Sequence, residues 1–309
     1  MLKPRVGSVA RRSLHLPVLF QRALHRSVEH DLLNLAQSCA YSAIVALFPA
    51  MIVAAALVGL MSSAAPVRYQ AAAFFSRILP AEVSPLLDGY FVASPKNAPS
   101  ARVLAGALLV SITGASSVMA TLMEGVRRAN GLPRECWSFW ERRRRAYALV
   151  PLSLVPMALA SGLVVFGHFL TLWVAQYLAP VLQGPFYTVA LLLRWGISLA
   201  GSVAVIAQVY RIGSPLRPSL HRTLPGATAA TLMWFLTTLA FGWYVTRFAN
   251  YSQVYGSLGA AIALLFWLYL VSFSILTGAE FNSLYAERYL GQSLAEGSGG
   301  PSAHIASRG

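Results

Sequence analysis

The sequence predicts an all-α, polytopic integral membrane protein, a bundle of six transmembrane helices with interfacial amphipathic helices. Three observations lead to this fold class. Hydrophobic residues make up 57% of the 309-residue chain, and its mean hydropathy is +0.60. Charged residues make up only 11%, against about 25% in an ordinary soluble protein. The apolar residues also form continuous runs, whereas the strands of a membrane barrel alternate between apolar and polar positions.

The apolar runs define the spans and the domain boundaries. A helix needs about 20 mostly apolar residues to cross the hydrocarbon core, and in lipid it satisfies its own backbone hydrogen bonds. Six stretches are long enough, at residues 40–61, 103–123, 148–174, 186–210, 224–245 and 257–281. They delimit a membrane domain over residues 40–290, after an N-terminal segment over residues 1–39. The tail, residues 291–309, has no apolar face and is predicted to be disordered.

Two segments outside the spans have an amphipathic pattern. Residues 14–35 are basic and mix apolar with polar positions. This pattern favours a retained helix on the cytoplasmic membrane face over a cleaved signal peptide. Residues 67–79 carry apolar side chains at helical spacing, which predicts a second helix lying in the outer interface.

The distribution of Lys and Arg predicts the orientation. Of the 24 basic residues, 18 lie in the N-terminal segment, the second and fourth connections and the tail. The opposite side has 5, and Arg194 falls inside the fourth span. Basic loops are retained in the cytoplasm. We therefore expect both termini to be cytoplasmic.

The net charge of +14 leaves two interpretations open. In a soluble protein such a charge indicates nucleic acid, and Trp137, Phe139 and Trp140 followed by Arg142 to Arg145 resemble an RNA-binding patch. The same residues suit an anchor among lipid headgroups with positive charge on the cytoplasmic side. The high hydropathy favours the anchor. The sequence predicts the lipid bilayer as partner and no nucleic acid.

Motifs that carry enzyme chemistry are missing. The chain has no G-x-S-x-G, no phosphate-binding G-x-x-x-x-G-K-[ST] and no H-E-x-x-H. Cys39 and Cys136 do not form a C-x-x-C pair. No acidic residue lies near the middle of a span, where an intramembrane enzyme would place a nucleophile or a metal ligand. We expect no enzyme, no cofactor and no metal site.

Two basic residues lie at equal distances along the chain from the short third connection. Counted from that turn, Arg194 and His168 lie at similar depth, roughly 12 Å below the outer surface. One interpretation is that Arg194 snorkels outward and His168 is a neutral packing residue. The other is a polar, outward-facing cavity in which Arg194 binds an anionic group. The second makes Arg194 and His168 the candidate substrate-binding residues.

Charged residues at the cytoplasmic ends of the spans form a second candidate site. Glu280 lies near a helix C-terminus, where negative charge is disfavoured, so a cationic partner is expected. Arg211 and Arg142 to Arg145 lie on that side. Glu280, Glu124 and Arg211 are therefore predicted to form a structural ion pair or a cytoplasmic gate.

Small residues recur within the spans. Strips of Gly, Ala and Ser let membrane helices approach closely, so Gly196, Gly256, Gly259 and Gly278 are predicted to lie at helix contacts. The same strips can serve helix sliding during transport or contact with a partner, including a second copy of the chain.

Several strings resemble the YihY/BrkB family of bacterial inner-membrane proteins. They are LFP at residues 47–49, YGSLGA at 255–260, FWLYL at 266–270 and GAEFN at 278–282, with Tyr210, Arg211, Arg217, Pro225 and Gly226 in the family's order. The resemblance implies six helices, cytoplasmic termini and no settled activity. An earlier ribonuclease BN label in the family is regarded as a misassignment. Other members are linked to serum resistance or envelope lipid handling.

Three functions remain after this reasoning. The first is transport of an amphiphilic or anionic solute, or a lipid, across the bilayer or between leaflets. The alternative is a membrane scaffold or an envelope assembly factor, and the third is a membrane-bound enzyme. A cavity inside the bundle would favour transport over a scaffold.

Overall fold

The computed structural model describes residues 16–60, 100–177, 180–248 and 257–297. Within these ranges the chain forms a short helix, a 3-10 turn at Arg134–Cys136 and long helices, with no strand. The helices are α1 (Leu16–Glu29), α2 (Leu32–Leu60), α3 (Ala101–Ala129), α4 (Phe139–Ala175), α5 (Pro180–Gly213), α6 (Leu220–Phe248) and α7 (Ser257–Gly297). The predicted all-α class is confirmed.

The long helices follow the predicted spans in order. Within the described residues, five segments are long and apolar enough to cross a membrane: Leu32–Ala54, Ala101–Ala129, Leu182–Gly213, Leu220–Val245 and Ala261–Arg288. The remaining long helix, α4, has 37 residues and contains the predicted third span at residues 148–174. The helices α2, α4, α5 and α6 contain prolines, which membrane helices tolerate more readily than soluble ones.

The N-terminal helix differs from the prediction. The expected single helix over residues 14–35 is interrupted after Glu29, and α2 already begins at Leu32. Asp31 has a φ of 61°, which an L residue rarely adopts, and its carboxylate accepts a 2.6 Å hydrogen bond from Asn34 Nδ2. The chain therefore turns there. The apolar face of α1, with Leu19 and Ala23, packs on α7 rather than facing lipid alone.

The six long helices form a ring that α3 crosses in part, because α3 also contacts α5 and α7. Each packs against the next along the chain, and α7 returns to contact α2. The buried clusters join the beginnings of α2, α4 and α6 to the ends of α3 and α5 and to the middle of α7. Neighbouring helices are therefore antiparallel. We call the end where these clusters lie the basic end, because it also holds Arg142 to Arg145 and Arg211.

The basic end has the densest packing of the described residues. Leu32, Met123, Leu149 and Leu276 are fully buried there, whereas Leu109, Leu159, Leu192 and Leu239, nearer the opposite end, are more than half exposed. The interfacial helix predicted for residues 67–79 lies outside the described residues. The predicted tail boundary at residue 291 falls inside α7, which continues to Gly297, and residues 298–309 lie outside the described part.

Candidate functional site: a central cavity and its polar floor

All six long helices line an apolar cavity of about 560 Å³. This volume lies in the range of about 300–1,000 Å³ that is typical of small-molecule sites. The lining residues are Ala43, Ala46, Leu47, Ala50, Ser111, Ala115, Val118, Met119, Leu122, Val150, Ser153, Leu154, Met157, Ser202, Val205, Ile206, Val209, Trp234, Leu268, Val271 and Ile275. We call this space the central cavity.

Hydroxyl groups in the wall are turned toward backbone carbonyls. Ser111 donates to the carbonyl of Ala46 at 3.3 Å, and Ser153 donates to Leu149 at 2.7 Å. Ser202 donates to Ser198. Because these bonds satisfy the hydroxyls, the wall presents an apolar surface to the interior. Trp234 Nε1 is different, since it is buried and has no hydrogen-bond partner in the described part of the chain.

Charged residues follow the cavity-lining positions toward the basic end. On α7, Ile275 lines the cavity and Glu280 follows five positions later, about 7.5 Å along the axis. The side chain of Glu280 is 0% exposed, and His30 Nδ1 lies 2.5 Å from its Oε1. The second carboxylate oxygen, Oε2, is buried and has no partner in the described ranges.

Glu124 follows the cavity-lining Leu122 by two positions on α3 and has a different set of partners. It accepts hydrogen bonds from Arg127 Nη2 at 2.7 Å and from Arg128 Nε at 3.2 Å. Arg128 also donates to the backbone carbonyl of His30 at 3.1 Å. This chain of contacts ties α3, the turn between α1 and α2, and α7 together. We call Glu124, Arg127, Arg128, His30 and Glu280 the polar floor.

Glu280 has a different partner from the basic residues that the sequence singled out on its side of the membrane. The sequence pointed to Arg211 or to Arg142 to Arg145, but the structure pairs Glu280 with His30. Arg211 is exposed and lies on the outer side of α5. Arg145 bonds Glu141 at 2.7 Å within α4. His30 belongs to the segment 14–35 that was predicted to lie on the membrane face. No local feature of the sequence connects it to a residue 250 positions away.

A second contact between α1 and α7 is exposed. Arg26 donates to Glu287 at 3.0 Å, with side chains that are 34% and 58% exposed. The hydrogen bond raises the pKa of Arg26 above its ordinary value. Because this guanidinium is charged throughout the physiological range, the pair does not act as a pH switch.

The string GAEFN has a structural role at each polar or small position. A Cβ on Gly278 would lie 2.5 Å from Ala230 Cβ, so α6 and α7 cross in close contact there. Asn282 Oδ1 accepts from the backbone N–H of Gly226 at 3.2 Å. Tyr210, buried on α5, donates its hydroxyl to the carbonyl of Ile275. Sequence reasoning did not find the roles of Asn282, Tyr210 or Trp234.

The other predicted packing glycines have varied surroundings. Gly259 is buried, whereas Gly256 lies outside the described residues. Gly196 is exposed, and a Cβ built on it would meet nothing within 4 Å. The structure shows no close neighbour for Gly196 among the described residues, and its role in packing stays a prediction.

Arg194 lies on the α4–α5 contact and not in the central cavity. A Cβ on Gly167, the residue before His168, would lie 3.0 Å from Arg194 Cδ. Arg194 Nε is buried without a partner among the described residues. The side chain of His168 is outside the described part. That Arg194 and His168 bind an anionic solute stays a prediction.

A second cavity, of about 580 Å³, opens at the basic end on the outer face of α4 and α5. Three arginines, Arg145, Arg211 and Arg217, line it together with Leu152, Gln208, Ile212 and Leu220. We call it the arginine cavity. No group of three or more His, Cys, Asp or Glu residues suited to a metal ion occurs within the described ranges.

A ring of membrane-spanning helices around an apolar cavity, with a charged floor at one end, defines a multi-span membrane protein. The chain matches the family described as "Virulence factor BrkB" over residues 23–301. The protein therefore belongs to the BrkB family.

Curated relatives support the same class. A membrane protein of Chromohalobacter salexigens, of the UPF0761 group, is 28% identical over 86% of this chain and 62% of its own length. One from Tolumonas auensis is 26% identical over 89% of this chain and 88% of its own length. The ribonuclease-like protein YfkH of Bacillus subtilis is 39% identical over 33% of this chain and 38% of its own length. No solved structure matches the chain significantly.

Proposed function

We propose that this protein moves an amphiphilic or anionic solute, with a membrane lipid as first candidate, across the bilayer or between its leaflets. The observation that carries the proposal is the central cavity, to which every long helix contributes side chains. Membrane helices that only scaffold a partner gain stability from close packing and have no need of such a space. An apolar wall suits acyl chains, and the Trp234 N–H, which has no partner in the described ranges, offers one hydrogen bond to a polar group.

The polar floor is the proposed gate at the basic end. It closes the cavity with charged side chains from α3, α7 and the α1–α2 turn, and separating these elements would open a path. Glu280 and Glu124 belong to this gate, whereas Arg211 lies outside it. Arg194, whose buried Nε has no partner among the described residues, is the proposed contact for an anionic group on the opposite half. A role in the bacterial envelope is consistent with the family description as a virulence factor.

Filling the central cavity should stop transport without unfolding the protein. Ala115 lines the cavity on α3, and Ala105 is an exposed residue on the same helix. In proteoliposomes, Ala115→Phe is expected to abolish flipping of a fluorescent phospholipid, measured by dithionite quenching, because the ring occupies the space. Ala105→Phe, with the same added volume facing lipid, should flip at the parent rate. If the parent flips no phospholipid and releases no trapped anionic amphiphile, the scaffold function is favoured instead.

The orientation is proposed from the charge distribution, with the basic end in the cytoplasm. A reporter fused after Arg217, in the loop following α5, is expected to be active as a cytoplasmic reporter. A reporter fused after Tyr177, at the turn following α4, should be active only as a periplasmic reporter. Cytoplasmic activity after Tyr177 would contradict both the orientation and the span in α4.

A further inference from the structure

We propose that the arginine cavity binds a phosphate group, carried by the headgroup of an anionic lipid or by a free organic phosphate. This proposal deepens the proposed function, because it names the chemistry of the molecule recognised at the basic end. It rests on that function only for the later movement of the bound molecule, and not for the binding itself.

The three arginines of the cavity are not equivalent. Arg145 is held in place, because it bonds Glu141 at 2.7 Å and the carbonyl of Ile212 at 3.3 Å, and it lies 5.4 Å from the Trp137 ring centroid. Arg211 and Arg217 have no ion pair and no side-chain hydrogen bond with any described residue. Glu141 therefore compensates one of the three charges and leaves two cations facing the same space.

Two uncompensated cations beside one cavity repel each other unless an anion lies between them. A guanidinium donates in a planar fork that matches the oxygens of a phosphate, and such charge-assisted hydrogen bonds are stronger than neutral ones. Gln208 adds an amide donor to the same wall. The arrangement suits a phosphate better than a compact monovalent anion, because α5 and the loop after it both contribute donors to one cavity.

The loop after α5 holds Arg217 in a left-handed backbone conformation. Arg217 has a φ of 43°, in the left-handed region that an L residue rarely adopts, and Pro218 follows it. Its N–H donates to the carbonyl of Ser214 at 3.3 Å, and the hydroxyl of Ser214 accepts from Leu216 N–H at 3.3 Å. Residues with this backbone persist where the surrounding structure determines them, and they cluster at ligand sites.

The apolar part of the cavity favours a lipid over a free phosphate. Leu152 and Leu220 are 39% and 43% exposed beside the arginines, on the outer face of the bundle. Basic pockets between membrane helices on the cytoplasmic side are typical sites for anionic headgroups. An acyl chain could follow Leu152 along α4 while the phosphate stays with the arginines.

The test measures binding by the purified full chain in a neutral detergent, by titration calorimetry. The probes are short-chain phosphatidylglycerol, short-chain phosphatidylcholine and glycerol phosphate. We expect the parent to bind phosphatidylglycerol more tightly than phosphatidylcholine. Arg211→Gln with Arg217→Gln should weaken phosphatidylglycerol binding by about tenfold or more, the loss expected for charge-assisted hydrogen bonds.

A matched control separates the cavity from general charge. Arg144→Gln with Arg222→Gln removes two exposed arginines from the same end that do not line the cavity. This variant should bind phosphatidylglycerol like the parent. Equal loss in both double variants, or no loss in either, overturns the proposal, and so does a parent that binds neither anionic probe.

The probes also distinguish the two sources of phosphate. Binding of phosphatidylglycerol but not glycerol phosphate identifies a lipid site, and equal dependence of both on Arg211 and Arg217 identifies a site for the phosphate alone. In Ala115→Phe, the part of phosphatidylglycerol binding that depends on Arg211 and Arg217 should persist. Lost binding in the arginine variant therefore tests this site, whereas lost flipping in Ala115→Phe tests transport.

Discussion

Replacing Gly278 with Ala is expected to lower the yield of folded, monodisperse protein severely, because the added methyl group has no space. Its Cβ would lie 2.5 Å from Ala230 Cβ, 2.6 Å from the Tyr210 hydroxyl oxygen and 2.8 Å from the carbonyl oxygen of Gly226. Two of these neighbours belong to α6, and none is the free end of a flexible side chain. Overpacking typically costs about 1–3 kcal/mol, and we expect the upper part of this range.

Gly196→Ala is the matched control for this change. The same methyl group on α5 meets nothing within 4 Å. Alanine is favoured over glycine inside a helix by about 1 kcal/mol, so the melting temperature should stay unchanged or rise. Size-exclusion chromatography and thermal denaturation in detergent measure both variants. Parent-like melting of Gly278→Ala would mean that α6 and α7 are further apart in solution than in the structure.

Removing His30 is expected to destabilise the protein by about 2–4 kcal/mol, because it leaves the carboxylate of Glu280 buried without a partner. The side chain of Glu280 is 0% exposed and its Oε2 already has no partner in the described part of the chain. Adding Glu280→Gln to His30→Ala should recover much of the lost stability, since a neutral amide costs less to bury. The coupling energy from this double-mutant cycle is the measurement.

The exposed pair between the same two helices provides the control. Arg26→Gln breaks the bond to Glu287, and exposed pairs contribute less than about 1 kcal/mol. Arg26→Gln should therefore melt close to the parent. If His30→Ala is as mild as Arg26→Gln, or if the two changes at His30 and Glu280 are additive, the polar floor is not held by this pair.

The residues changed in these two tests lie in, or contact, one short segment of α7. Gly278 and Glu280 lie two positions apart on α7, so they point to different neighbours: Gly278 to α6, and Glu280 to the α1–α2 turn. Asn282 then returns to Gly226 on α6. The string GAEFN is thus the part of α7 that joins three elements below the central cavity. Damage there should affect both the folded yield and the proposed gate.

The helical fold was predictable because hydrophobicity is a local property. A continuous apolar run of span length can satisfy its backbone in lipid only as a helix, whatever surrounds it. The runs at residues 103–123 and 224–245 accordingly lie within α3 and α6. The boundary between α1 and α2 was missed, because the apolar pattern continues through the turn at Asp31 and a left-handed backbone leaves no mark in hydropathy.

The contacts between helices could not be predicted from the sequence. The sequence by itself determined the helical class, the order of the apolar segments and the positions of the charges along the chain. Only the tertiary structure decided that His30 and not Arg211 meets Glu280, that Gly278 and not Gly196 lies at a close crossing, and that the six helices leave a central cavity. The physical reason is that a helix's periodicity sets which side chains share a face. The neighbour that each face meets depends on the rotation and tilt of every helix in the ring, which packing sets collectively.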